Sequence, residues 1–275
     1  MIRSELEFIL LILTFLLLSI GSWQDLKTRE VADWIWFTMI SIGIIIHILQ
    51  IILLILTKEL FIGYVTSLIL NFIFALTISL FLTFSGLGGE ADRVAFIALG
   101  IVSPISQPIF VLNDPIYEII IESTPRILGI FFNSYLMASL IPLIIFCYNL
   151  SNNYLNPDLY LLSSESRWKR LFIRFIGYPR QTQNLINELK EKPWHYDFLE
   201  EFNEEVGWYV VFRARLDTPE MDISRKKELV SIIQSKEKDF IWMQPSLPFI
   251  LILTIGYLTE IFIGNVLLLF MVLLV

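Results

Sequence analysis

Apolar residues run in blocks of about twenty along most of this chain, separated by short clusters of charge, glycine or proline. A block of that length, wound as helix, spans the ~30 Å hydrocarbon core of a bilayer. A soluble core helix would instead set a polar face beside an apolar stripe. The pattern predicts helical spans at 5–24, 33–56, 60–83, 91–112, 127–150 and 247–274. Their separators are the stretch from Asp25 to Asp33, Lys58–Glu59, the glycines at 86–89, Asn113–Pro115 and Pro245–Pro248. Trp23, Trp34, Trp36, Tyr148 and Trp242 fall near the expected ends, where aromatic rings favour the membrane interface.

Residues 151–245 follow a different pattern, with fifteen acidic and fourteen basic residues interspersed. Gln181 to Lys192 reads as a short helix and Val206 to Leu216 as a strand-rich stretch. Asp222 to Lys238 reads as an amphipathic helix with apolar Ile223, Leu229, Ile232 and Ile233. The expected fold is therefore mainly α: a polytopic membrane protein of six transmembrane helices, with a small α+β soluble insertion between helices 5 and 6. Residues 1–150 would hold helices 1–5, 151–245 the soluble domain and 246–275 the sixth helix.

Composition sharpens this picture. Hydrophobic residues make up 56% and charged residues only 17%, with a mean hydropathy of +0.69, whereas soluble domains carry about 25% charge. The net charge of −7 says little, because the charges are segregated along the chain. Nor does charge fix the orientation. Discounting 151–245, Lys27, Arg29 and Arg93 on one side balance Arg3, Lys58 and Arg126 on the other. The first block, 6–22, resembles a signal peptide, but its apolar region is too long and no A-x-A site follows. Cys147, the one cysteine, lies inside an apolar block and reads as a packing residue. His47 and His195 are far apart and read as a span residue and a domain residue. No phosphate loop, metal-spaced His/Cys set or basic stripe appears within 151–245, so no metal, cofactor or nucleic acid is expected.

Ionisable groups at membrane depth cost several kcal/mol, so each needs a reason. Asp25 closes the first span within SWQDLKTREVADWIW; Asp92 opens the fourth within SGLGGEADRVAF, with Glu90 beside it. Each glycine costs a helix about 1 kcal/mol against alanine, so Gly86, Gly88 and Gly89 mark a break. Non-helical backbone at that depth is tolerated when buried in protein or lining a wet cavity. Taken singly, each aspartate reads as a helix-end charge, Asp25 pairing with Lys27 or Arg29. The pair is more informative, because two intervening crossings return the chain to the same face. Two carboxyl groups converging there would not both ionise easily, leaving one as base and one as acid.

These residues carry a resemblance. DLKTREVADWIW from Asp25 and GGEAD from Gly88 to Asp92 resemble the two motifs of the archaeal preflagellin (prearchaellin) and type IV prepilin-like peptidases, among the GxGD intramembrane aspartyl proteases. Ala91 fits the archaeal Gly-x-Ala-Asp form, and PSLPFILILTIGYLTE from Pro245 is similar to the family's Pro-Phe-rich last helix. The resemblance implies a catalytic pair of Asp25 and Asp92, with Gly88 and Gly89 as a flexible entry to the second helix. It implies no cofactor or metal, since the zinc-type Cys pairs of some bacterial relatives are missing. The implied partners are the membrane and a preflagellin or prepilin precursor, cut at the cytoplasmic boundary of the cell membrane. Two positions depart from the pattern: Glu90 stands where archaeal members usually have Gly, and Val94 where a Lys is usual. Glu90 is expected simply to face solvent, and Arg93 to supply the missing charge. Lys27 and Arg29 are expected to meet lipid phosphate or pair with Glu30 and Asp33. The acidic run Glu200, Glu201, Glu204 and Glu205 offers a landing for a basic leader, or only a solvated face. A transporter that relays cations through the same carboxylates is the rival; the span-end placement of both aspartates and the lack of inverted repeats argue against it.

Overall fold

The computed structural model describes residues 2–58, 61–85, 89–103, 124–152, 166–183, 185, 196–205, 207–211, 219–236 and 238–273. The chain divides into two compact units, residues 1–138 with 248–275, and residues 139–247.

The first unit is helical. It contains α1 (Ile2–Thr28), α2 (Asp33–Leu56), α3 (Phe61–Ser85), α4 (Glu90–Val102), the N-terminal half of α5 (Arg126–Ser151), α8 (Phe249–Phe262) and α9 (Val266–Leu273). Helices α1, α2, α3 and α5 are long and apolar enough to cross a membrane, and the chain is a multi-pass membrane protein. Many of their large apolar side chains point outward, among them Phe37, Ile45, Leu56, Ile62 and Phe84. In water these would be a liability; against lipid tails they are the expected surface.

Helix α4 is the inner element. Ala95, Phe96, Ala98, Leu99 and Val102 are all fully buried, and small residues let neighbours approach it closely. A Cβ added to Gly100 would run into Ala75 of α3, and one added to Gly43 of α2 would meet Val102. Such small-residue seams are how helices pack when lipid leaves little hydrophobic drive between them. The fourth span is expected to run to residue 112, but α4 ends at Val102, where Ser103 turns to extended backbone; residues 104–112 lie outside the described residues.

The expected single helix over 247–274 is two helices. Gly264 adopts φ +89°, a conformation that glycine takes without a Cβ clash. Asn265 then accepts from Leu267 N and Leu268 N at 3.1 and 3.3 Å, capping α9. Asn133 of α5 repairs the rest of the break. Its amide donates to the Gly264 carbonyl at 2.9 Å and to Glu260 Oε2 at 3.1 Å, while its oxygen accepts from Val266 N at 3.0 Å. A break at membrane depth survives when its backbone groups are satisfied in this way.

The second unit begins with the C-terminal half of α5, followed by α6 (Arg167–Ile176), β1 (Tyr178–Gln181), β2 (Tyr196–Phe198), β3 (Glu200–Asn203), β4 (Gly207–Val210), α7 (Pro219–Ser235) and β5 (Phe240–Pro245). The strands β1-β5-β2 form an antiparallel sheet, with Tyr178 opposite Met243 and Phe198 also opposite Met243. A β3–β4 hairpin pairs Glu200 with Val210. Leu229 and Ile233 of α7 pack on Leu185, Phe198, Ile241 and Met243, as expected of the amphipathic helix; of the strand-rich stretch expected over 206–216, Gly207–Val210 is strand, and 206 and 212–216 lie outside the described residues. The helix expected over Gln181–Lys192 starts one residue later: Gln181 closes β1 opposite Phe240, Thr182, Gln183 and Leu185 are helical, and residues 184 and 186–192 lie outside the described residues. Cys147 is exposed on α5 rather than packed inside.

Candidate active site

Asp25 lies in the last turns of α1, where Arg29 leaves the helix with φ +59°. The reversal into α2 is held by its own polar side chains. Gln24 Oε1 accepts from Ala32 N at 2.9 Å, satisfying backbone that the turn would otherwise orphan. Trp36 is buried, and Val31 and Trp36 lie beside Gly21 of α1 and Ile250 of α8. The segment DLKTREVADWIW thus folds into a fixed corner that carries Asp25 on its inner side.

Asp25 is 7% exposed. Its Oδ2 accepts from Ile250 N at 2.9 Å, and Arg29 Nη1 lies 3.8 Å from its Oδ1. Ile250 N is a first-turn donor of α8, one of the N–H groups that a helix leaves without an internal partner. Pro248 at the N-cap has no side-chain acceptor to offer it, so a carboxylate from α1 does so. Nearby, Ser22 Oγ lies 2.8 Å from Thr254 Oγ1, locking α1 to α8 one turn further along each.

Asp92 is the third residue of α4, and its Oδ2 accepts from Gly89 N at 2.7 Å. This is the carboxylate half of a capping box, with glycine at the cap. Arg93 turns outward: Nε donates to the Gly89 carbonyl and Nη1 to Thr83 Oγ1, both at 3.3 Å, tying the end of α3 to the start of α4. Glu90 is exposed, Ala91 is half-buried, and Val94 packs against the core. Gly88 lies outside the described residues.

The start of α8 links the two carboxylates. Ile250 binds Asp25, while the preceding Phe249 lies between Phe96 of α4 and Tyr135 of α5, with ring centroids 6.2 and 5.6 Å away. Phe96 is one turn past Asp92 on α4. Asp25 and Asp92 therefore belong to the same end of the helix bundle, engaged separately, each at the positive end of a helix dipole. Reading the sequence missed Tyr135, Phe249 and Ile250 as parts of this end. Only the Pro-Phe start of the last helix signalled Phe249 and Ile250, because a backbone N–H carries no residue-type mark.

The other polar candidates are explained by structure. His47 Nε2 donates to the Ile101 carbonyl at 2.7 Å, and its Nδ1 lies 2.6 Å from Tyr64 Oη and 3.1 Å from Gln50 Oε1. This buried histidine ties α2 to α3 and α4. His195 lies outside the described residues. Arg29 reaches Asp25, the pairing that the helix-end reading of Asp25 expected. One expectation needs correction. Glu200 and Glu201, offered as a landing for lysines, are buried in the second unit. Glu200 pairs with Lys238 at 2.9 Å and accepts from Trp242 N at 2.8 Å; Glu201 pairs with Arg225. Glu204 and Glu205 remain exposed. Among the described residues, no group of three or more His, Cys, Asp or Glu is placed to hold a metal ion.

Comparison with known proteins gives the class. Residues 11–146 match the type IV leader peptidase family, and residues 169–266 match the family described as Archaeal Peptidase A24 C-terminus Type II. The chain belongs to this peptidase family. A curated relative, the preflagellin peptidase of Methanococcus voltae, is 23% identical over 250 residues, covering 90% of this chain and 92% of that protein.

Proposed function

We propose that the chain is an intramembrane aspartyl endopeptidase that removes class III signal peptides from archaellin or type IV pilin-like precursors, with Asp25 and Asp92 as its catalytic pair. The observation that carries the reading is the attachment of both aspartates to one end of the bundle. Asp25 is bound to Ile250, and Asp92 stands one turn before Phe96 of the Phe96–Phe249–Tyr135 cluster. Both aspartates fall within the segment matched to the leader peptidase family, and the relative's name supports a preflagellin as the kind of substrate.

In the proposed reaction one ionised aspartate takes a proton from water as its oxygen attacks the scissile carbonyl. The other, protonated, aspartate donates to that carbonyl oxygen. Collapse of the tetrahedral intermediate passes a proton to the leaving nitrogen and breaks the C–N bond. Once they share one water the carboxyls titrate as a unit, so activity should follow a bell-shaped pH profile that belongs to the pair. Asp25 must release Ile250 N, or share it, to hold water; the start of α8 is therefore part of the working site. The reading includes six spans, a soluble insertion at 151–245, and a site at the cytoplasmic boundary, where the basic leader meets the substrate's hydrophobic helix.

The test is cleavage of a preflagellin-like or prepilin-like precursor by membranes carrying wild type, Asp25→Asn or Asp92→Asn. Asparagine keeps the size and removes the acid–base function. Each substitution is expected to lower the rate by at least about 100-fold while the protein stays in the membrane. Near wild-type cleavage by either variant would sink the two-aspartate mechanism. No cleavage by wild type would sink the substrate assignment.

A further inference from the structure

Helix α6, RWKRLFIRFI, has two apolar faces where a surface helix needs one. At 3.6 residues per turn, Ile173 and Ile176 share the first face, which packs into the second unit beside Leu199, Val210 and Trp242. Trp168, Leu171, Phe172 and Phe175 form the second, within an arc of about 100°. Trp168 is 81% exposed, Phe172 53% and Leu171 40%. On the same wheel, Arg167, Arg170 and Arg174 flank that arc on one side and Lys169 on the other. The helix carries no acidic residue.

The position of α6 relative to a membrane span is fixed within the second unit. Asn149, in the last turn of α5, donates from Nδ2 to the carbonyls of Arg174 and Gly177 at 2.8 and 2.7 Å. It thereby satisfies the C-terminal carbonyls of α6, which lack partners within the helix. Phe146 of α5 stacks on Phe175 with centroids 4.4 Å apart and planes 6° from parallel. Tyr148 makes an edge contact with Tyr178, just past α6. On the α5 side of the junction, Leu143, Ile144 and Leu150 are exposed apolar residues suited to lipid. The C-terminal end of α6 is thus pinned to the point where a span leaves the hydrocarbon.

We propose that α6 is an in-plane membrane anchor, which buries Trp168, Leu171 and Phe172 at the headgroup boundary and sets Arg167, Lys169, Arg170 and Arg174 against anionic lipid phosphate. An apolar arc edged by cations is the composition of helices that lie in the interface, and clustered basic residues next to a span match the negative potential of anionic lipid. The anchor would hold the insertion against the bilayer. It rests on α5 being a span and not on the catalytic assignment, and its test uses no cleavage.

The full-length protein in nanodiscs provides that test, through quenching of Trp168 by brominated lipids. The chain has seven tryptophans, so the difference in emission between wild type and Trp168→Phe isolates this one. The expected result is strong quenching by lipid brominated near the headgroup, weak quenching by lipid brominated near the chain ends, and shielding from iodide in the water. Replacing phosphatidylglycerol with phosphatidylcholine, or introducing Arg167→Gln, Lys169→Gln and Arg170→Gln together, should cut the shallow quenching by about half or more. Trp168 emission quenched freely by iodide and untouched by either brominated lipid would overturn the anchor, as would shielding from both quenchers that grows with protein concentration, the mark of a second copy. Equal shallow quenching in both lipids and in the triple variant would overturn the pairing with anionic headgroups.

Discussion

Lys238 and Glu200 show how far a charge can mislead when only its sequence neighbours are known. Their side chains are 4% and 3% exposed and 2.9 Å apart, and Lys238 also lies 4.0 Å from the centre of the Trp208 ring. Burial lowers the Lys238 pKa below the usual lysine value, against the pull of Glu200, which raises it. Removing one partner of a buried pair typically costs about 3–5 kcal/mol. Glu200→Gln should therefore lower the thermal midpoint of the solubilised protein, and the loss should shrink as pH rises towards the ordinary lysine pKa. The sign follows from proton binding. With the folded pKa depressed, the unfolded chain binds more protons between the two values, so stability rises with pH there. A loss that grows with pH would contradict the buried pairing. A run of four glutamates in six residues looks like a solvated face, because sequence alone does not say which strand neighbour lies across the hairpin. Asp25 and Asp92 stood out as candidates for a different reason. Each alone reads as a helix-end charge beside other charged residues, and what singled them out is the pair, returned to one face by two crossings.

At the scale of elements, the long helices were readable because twenty consecutive apolar residues admit little else, and four of them agree with expectation to within a few residues. Two features were not readable. One is α6, whose apolar residues come in runs of one, three and two between basic residues and never reach span length. The other is the break between α8 and α9, which hides inside an unbroken hydropathy signal. Gly264 and Asn265 are only two residues, and what makes them a break is Asn133, more than a hundred positions away. Asn133→Leu would leave the Gly264 carbonyl, Val266 N and Glu260 short of a partner, at about 1–3 kcal/mol for each group left unsatisfied. The expected outcome is a marked loss of thermal stability, with faster hydrogen exchange confined to 260–268 before global unfolding. Gly264→Ala tests the same junction from the backbone side, since a positive φ is strained for any residue with a Cβ. If both variants match wild type in exchange and melting, the break is not held by these contacts.

At the scale of the whole molecule, the catalytic proposal demands that α1 end and α4 begin on one side of the membrane while α2 ends on the other. The basic residues of the short loops do not decide this, because they divide three against three. Arg167, Lys169 and Arg170, held at the end of α5 by Asn149 and Phe146, break the tie if α5 exits on the side of Asp25 and Asp92. They lie within the ~15–20 residues of a span end over which basic charge sets orientation. Thr28, Glu90 and Lys58 mark the three ends in question, and all are exposed. In a Cys147→Ser background, single Thr28→Cys, Glu90→Cys and Lys58→Cys variants can be treated with a membrane-impermeant maleimide on intact cells and again after lysis. The prediction is that Lys58→Cys reacts from outside, whereas Thr28→Cys and Glu90→Cys react only once the membrane is opened. Reaction of all three from the same side would contradict alternate crossing. Reaction of Thr28→Cys and Glu90→Cys from opposite sides would place the two carboxylates across the bilayer from each other, where no water molecule could be shared between them.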